Sequence, residues 1–234
     1  MFDISKFTVE KARPIPVILL LDVSGSMSGE KIAQLNKAVA DMLQEFKTGG
    51  ALETEIQMSV ITFGGDVKLA LPLISASNIS TIHPLIANGG TPMGTALRMA
   101  KEMIEDKEII PSKGYRPTVV LISDGAPTDN WKEPMNAFIS SGRSSKCDRM
   151  AMSIGTSQDD PVLNQFVTGT ENKVFLAEYA KNIPQFFRMV TMSVSVRSRS
   201  QNPNKLIPFN EVKKLTAKTN LTEEIKALND FSDF

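Results

Sequence analysis

The 234-residue chain carries 26 basic and 26 acidic residues, so its formal net charge of zero gives no bulk attraction for nucleic acid or an anionic membrane. A hydrophobic fraction of 41% is enough for a full core, and the length suits one large domain or a domain with tails. The single cysteine, Cys147, excludes an even disulfide framework and fits a reducing compartment.

In chain order, residues 1–13 are polar and form an N-terminal arm that leads through "ARPIP" into extended structure. "IPVILLLD" (15–22) is apolar on both faces, as a strand covered by helices on either side must be. The run is too short to span a bilayer, which takes about 18 to 20 residues. No small-x-small cleavage site follows it, so neither a membrane anchor nor a signal peptide is expected and the location is read as cytoplasmic. Ile32, Leu35, Val39, Met42, Leu43 and Phe46 then recur at helical spacing, and Gly49-Gly50 ends that helix.

"TEIQMSVITFGG" (54–65) alternates into a second strand, and "DVKLALPL" after Gly64-Gly65 reads as a hairpin-linked antiparallel edge strand. A second long helix begins near Thr91-Pro92, with proline in its first turn. "RPTVVLISDG" (116–125) is another buried strand running into polar residues. A weaker helix over 131–142 follows, then a strand over 148–155, a short helix in "DDPVLNQFVTG", a strand in "NKVFLAE" and a last helix in "IPQFFRMVTMSV". Strands alternating with helices predict an α/β sandwich with a mostly parallel sheet.

The domain is placed at 14–196. From Arg197 the composition changes: residues 197–218 hold six Lys/Arg against one Glu, and 221–234 hold four acids against one Lys. This segment, 197–234, reads as a solvated C-terminal tail, with docking through Leu228, Phe231 and Phe234 as the functional alternative.

Three polar clusters fall at strand ends or helix starts, where ligands bind in open α/β sheets: Asp22-Val-Ser24-Gly-Ser26, "NGGTPMG" (88–94) and Ser123-Asp124-Gly125. Each alone suits a helix cap. A nucleophile elbow needs Gly-x-Ser-x-Gly, and Met27 stands where its serine would be. The lone histidine, His83, lies in a loop-like "IHP" and out of the usual order for a hydrolase triad. A phosphate loop would need Gly-x-x-x-x-Gly-Lys-Ser/Thr, which is absent.

A hard divalent cation fits the residue types better, because Asp22, Ser24, Ser26, Thr91 and Asp124 supply oxygens and no His or Cys lies among them. With two carboxylates in five ligands the ion stays electron-poor and seeks an acidic group from outside. Asp129 reads either as an orienting residue behind Asp124 or as a cap, Trp131 as a packing residue with a partner anchor as the alternative, and Cys147 as inert.

"DVSGSM", "GGTP" and "ISDGAPTD", in that order, resemble the metal-ion-dependent adhesion site of von Willebrand factor A domains, over roughly residues 14–195. The resemblance implies a Rossmann-like three-layer sandwich, with a mostly parallel six-stranded sheet, one antiparallel edge strand and helices on both faces. It implies Mg²⁺ or Mn²⁺, with Ca²⁺ as a further option, held by Ser24, Ser26 and Thr91 and by Asp22 and Asp124 directly or through water. It further implies a partner's Asp or Glu completing the coordination.

Within the family, "RPIPVILLLDVSGSMSGEKI", "ALETEIQMSVITFG" and "ISDGAPTDNW" are similar to bacterial, cytoplasmic TerY-like proteins of tellurium resistance and stress. That likeness implies kinase or PP2C-type phosphatase partners. The expectation is therefore a non-enzymatic, metal-dependent protein-binding module. Its rivals are a scaffold that binds through the 197–234 tail and a metal-dependent hydrolase.

Overall fold

A computed structural model describes residues 12–48, 54–155, 160–206 and 211. Six strands make one sheet: β1 (Arg13–Asp22), β2 (Thr54–Gly64), β3 (Asp66–Ser75), β4 (Thr118–Ser123), β5 (Asp148–Ile154) and β6 (Phe175–Ala177). Their order is β3-β2-β1-β4-β5-β6, and every pair is parallel except β2–β3, where Gly65 at φ +67° closes the hairpin. The expected antiparallel edge strand is thus β3.

Among the described residues the sheet is covered by α1 (Glu30–Thr48), α2 (Met93–Glu105), α3 (Lys132–Ser140), α4 (Pro161–Val167) and α5 (Ile183–Ser198). Alternation along the strands sorts the core into two layers. Ile15, Val17, Leu19 and Leu21 of β1 face α1 and α5, whereas Ile18 and Leu20 face α2, α3 and α4. All six are fully buried, which is why β1 reads as one continuous apolar run. Each such side chain contributes about 1.5–3 kcal/mol on burial.

The chain reverses its direction of travel across the sheet between β1 and β4. From β1 it crosses outward to β2, and from β4 outward to β5 on the other side. The loops leaving these two strands therefore part and open a crevice at their carboxyl ends. Register brings Leu21 beside Ile122, so Asp22 and Ser123 end adjacent strands at one level.

Two elements depart from the sequence expectation at the opposite end of the sheet. β6 is only three residues long, because Asn172 turns its amide inward to Asp148 Oδ1 (2.9 Å) and the Arg149 carbonyl (3.0 Å) instead of extending the ladder. α5 runs on to Ser198, since Arg197 is wholly buried. Its guanidinium donates to Thr118 Oγ1 (2.7 Å) and to the carbonyls of Arg116 (2.7 Å) and Pro203 (2.9 Å). The residue at which the sequence opens a tail is therefore the penultimate residue of α5. Leu228, Phe231 and Phe234 lie outside the described residues. Among the described residues no helix is long and apolar enough to cross a membrane.

Candidate metal centre

The polar end of β1 is built by the backbone first. Val23 N–H donates to the Phe63 carbonyl (3.0 Å), and Gly25 N–H donates to the Gly89 carbonyl (2.9 Å). Asn88 N–H returns a bond to the Val23 carbonyl (2.7 Å), and Gly65 N–H donates to the Gly90 carbonyl (3.0 Å). The 88–91 loop is thereby fastened against the turn after Asp22. The fit demands glycine: Gly89 has φ +69°, and a Cβ on it would fall 2.4 Å from Gly65 Cα.

Within this frame four of the five predicted ligands form one hydrogen-bonded string. Asp22 is fully buried; its Oδ1 accepts from Ser24 N–H (2.8 Å) and its Oδ2 from the Ser123 hydroxyl (2.6 Å). Ser24 Oγ and Ser26 Oγ are 2.9 Å apart, and the Ser26 hydroxyl donates to Asp124 Oδ1 (2.7 Å). Asp124 follows β4 directly, and its side chain is buried.

Thr91 is buried in the adjoining loop, but among the described residues its hydroxyl is not part of the string. Its backbone positions it instead: Thr91 N–H donates to Thr128 Oγ1 (2.9 Å) and its carbonyl accepts from Thr128 N–H (2.9 Å). Thr128 stands on the loop that carries Asp124, so the three clusters meet.

Asp129 takes the capping role. Its carboxylate accepts from Gly94 N–H (2.9 Å), Thr95 N–H (2.8 Å) and the Thr95 hydroxyl (2.9 Å), satisfying the first turn of α2 from another loop. The approach is close. A Cβ on Gly94 would lie 2.6 Å from the Asn130 carbonyl oxygen. Trp131 is half-buried against the core, and burial pushes the Cys147 thiol up to about 12, in keeping with an inert cysteine.

The site also contains a residue the motif does not announce. Lys31, in the first turn of α1, places Nζ 2.5 Å from Asp124 Oδ2 and 3.3 Å from the Ser26 carbonyl oxygen. A signal for it existed, because a lysine so near a helix N-terminus opposes the helix dipole and calls for an acidic partner. Ser123 was visible in the sequence as part of its cluster but not as the residue that holds Asp22.

Electrostatically, burial raises the Asp22 pKa above the ordinary carboxylate value, and the like charge of Asp124 adds to that rise. The hydrogen bonds from Ser123 and Ser24 oppose it. Two carboxylates and several hydroxyls thus converge where one ammonium already sits. This all-oxygen set fits a hard divalent cation. Among the described residues no group of three or more His, Cys, Asp or Glu forms a softer or more acidic alternative. Beside the site a groove of about 650 Å³ runs between the β2–β3 turn and the 82–88 segment, lined by Val23, Gly65, Lys68, His83 and Ile86. Ile86 is 80% exposed.

A family model for the von Willebrand factor type A domain matches residues 17–189. Inter-alpha-trypsin inhibitor heavy chain H4 of Bos taurus is 29% identical over 133 residues, 53% of this chain and 14% of that protein. The uncharacterized protein YfbK of Escherichia coli is 29% identical over 114 residues, 47% of this chain and 18% of that protein. The chain thus spans only a small part of the length of these relatives. Among solved structures, a von Willebrand factor type A protein from Catenulispora acidiphila aligns with a TM-score of 0.61 at 19% identity, covering 78% of this chain and 43% of that one. Proximal thread matrix protein 1 from the mussel byssus, with zinc in its metal-ion-dependent adhesion site motif, aligns with a TM-score of 0.57 at 17% identity, covering 77% and 48%. At such identities the structural likeness speaks for the fold.

Proposed function

The chain belongs to the von Willebrand factor type A domain family, and on that premise we propose that it is a non-enzymatic binding module that captures a partner's Asp or Glu side chain through a divalent cation. The observation that carries this reading is the string Ser24–Ser26–Asp124, an array of oxygens held at 2.7–2.9 Å and backed by the buried Asp22. Asp22, Ser24, Ser26, Thr91 and Asp124 would hold Mg²⁺ or Mn²⁺. The ion would supply a Lewis-acid position that a carboxylate can complete.

The chain's own residues define what such a site favours. Asp22 has both oxygens occupied by fixed donors, so it is a rigid acceptor and not a free base. Asp129, the next carboxylate along the loop, is committed to the first turn of α2. Neither is disposed to activate water, which supports capture over hydrolysis. The neighbouring groove adds an apolar contact at Ile86, a feature that suits a segment with an apolar residue near its acid.

The cellular setting in this proposal is a bacterial, cytoplasmic stress or defence system with a kinase or PP2C-type phosphatase as partner. It rests on the likeness of three segments to TerY-like proteins. The reading is tested by affinity capture with immobilised full-length chain, in Mg²⁺ and in EDTA, alongside Asp22→Ala and a chain truncated after residue 206. Capture that requires Mg²⁺ and Asp22 supports it. Capture unaffected by EDTA and by Asp22→Ala, but lost on truncation, would replace it with binding through the C-terminal segment.

A further inference from the structure

We propose that Lys31 is a resident cation that competes with the divalent ion for Asp124 and thereby sets the metal concentration at which the site fills. The inference rests on the reading of this cluster as a metal centre and goes one step beyond it. Asp124 is the carboxylate at the end of the oxygen string, and its two oxygens are shared between two donors: Ser26 on Oδ1 and Lys31 on Oδ2. The ammonium also reaches the Ser26 carbonyl oxygen at 3.3 Å, so it bridges the same two residues that would face a metal.

A second element packs beside this side chain. Gly155, at the end of β5, has φ +82°, and a Cβ there would sit 3.4 Å from Lys31 Nζ and 3.7 Å from its Cε. The end of β5 thus lies alongside the ammonium where it rests on Asp124. The helix offers no competing reason for the charge. Lys31 lies in the first turn of α1, where a cation opposes the helix dipole, so its favourable interaction is the one with Asp124.

The physical consequence is an exchange of one cation for another. A buried carboxylate next to a second carboxylate is unfavourable without a counter-charge, and Lys31 supplies one in the absence of metal. A divalent ion that enters must compete for Asp124 and then tolerate a positive neighbour. Lys31 is 29% exposed, so the ammonium can swing towards solvent without unpacking the core. Its covalent tether keeps it at high local concentration, which lowers the apparent metal affinity.

The test is a titration of Mn²⁺ into the full-length chain by isothermal calorimetry, with wild type, Lys31→Met and Lys31→Arg. Lys31→Met keeps the length of the side chain and removes a charge from a helix N-terminus, so it is expected to fold; a thermal melt in EDTA checks this. Roughly tenfold tighter Mn²⁺ binding by Lys31→Met is expected, equivalent to about 1.4 kcal/mol, with Lys31→Arg staying close to wild type. A loss of mere structural support would weaken binding instead. Binding by Lys31→Met with none by wild type also supports the proposal. Equal affinity in wild type and Lys31→Met overturns it and leaves the metal site standing, as does an equal gain in both variants. No Mn²⁺ binding by any of the three overturns it together with the metal reading.

Discussion

The hydroxyl of Ser123 lies 2.6 Å from Asp22 Oδ2 and donates to it across the β1–β4 junction. This contact, between residues 101 positions apart, joins two strand ends through a fully buried carboxylate. Removing the donor leaves one oxygen of Asp22 without its partner. Ser123→Ala is therefore expected to destabilise the metal-free chain by about 1–3 kcal/mol in urea unfolding. It should also weaken Mn²⁺ binding, because Asp22 loses the group that fixes its orientation.

The pH dependence of the metal-free chain follows from Asp22. Burial raises its folded pKa above the unfolded value, so its favourable contribution is complete below the unfolded value and is lost as pH rises through the folded one. Asp22→Asn keeps the acceptor for Ser24 N–H and cannot ionise. In EDTA, Asp22→Asn is expected to gain stability over wild type as pH rises from the unfolded carboxylate value through the raised folded one, while losing all stabilisation by Mn²⁺. A difference between the two proteins that stays constant over this range would contradict the assignment.

At the other end of the sheet, Arg197 and Asp148 approach to 3.7 Å with both side chains buried. Burial raises the Asp148 pKa and the Arg197 charge opposes that rise. Arg197→Ala would leave Asp148 without this neighbour and release the Thr118, Arg116 and Pro203 contacts together. A loss of about 3–5 kcal/mol in denaturant unfolding is expected, with Mn²⁺ affinity of the folded fraction little changed. Arg197→Met, which keeps the volume of the stem, should lose less.

Glu105 gives a dependence of opposite sign. Burial alone would raise its pKa, but the N–H groups of Arg143 and Ser144, with Lys101, outweigh that and lower it. Its contribution is present above the unfolded carboxylate value and lost as pH falls through the lowered folded one. Glu105→Gln should reduce stability at pH 7 by on the order of 1 kcal/mol, held down by screening of a side chain that is 34% exposed. The deficit should vanish on acidification. Gly142→Ala should be more harmful, since φ is +72° and its Cβ would fall 2.2 Å from Glu105 Oε1.

The loop that carries Thr91 offers a further check. Gly89→Ala places a Cβ against Gly65 Cα and N at a positive φ, so the 88–91 loop must move away from the turn after Asp22. About 2 kcal/mol of destabilisation is expected, together with weaker Mn²⁺ binding. Asp129→Ala, which uncaps α2, should cost about 1–2 kcal/mol in thermal or urea unfolding.

The fold was largely legible because its signals are local. The unbroken apolar run of β1, the helical stripe from Leu35 to Phe46 and Gly64-Gly65 before β3 each report burial or chain reversal within a short window. The meeting of Asp22, Ser24, Ser26 and Asp124 was legible for another reason: the parallel α/β pattern sends strand ends to one edge. Lys31, Asn172 and Arg197 were not legible in the same way. Each is a polar residue whose partner lies far along the chain, and composition places such residues in solvent. Arg197 shows this best, since "RSRSQNPNK" reads as a tail while its first arginine is the most enclosed cation of α5.

The most direct measurement of the central claim is Mn²⁺ binding at equilibrium by the full-length chain and by Asp124→Ala, followed by calorimetry in the presence of excess free acetate as a carboxylate probe. The account predicts one saturable ion per wild-type chain, abolished in Asp124→Ala, with acetate binding only to the metal-loaded protein. Saturable binding of equal strength in Asp124→Ala, or no saturable binding by either wild type or Lys31→Met, would contradict it.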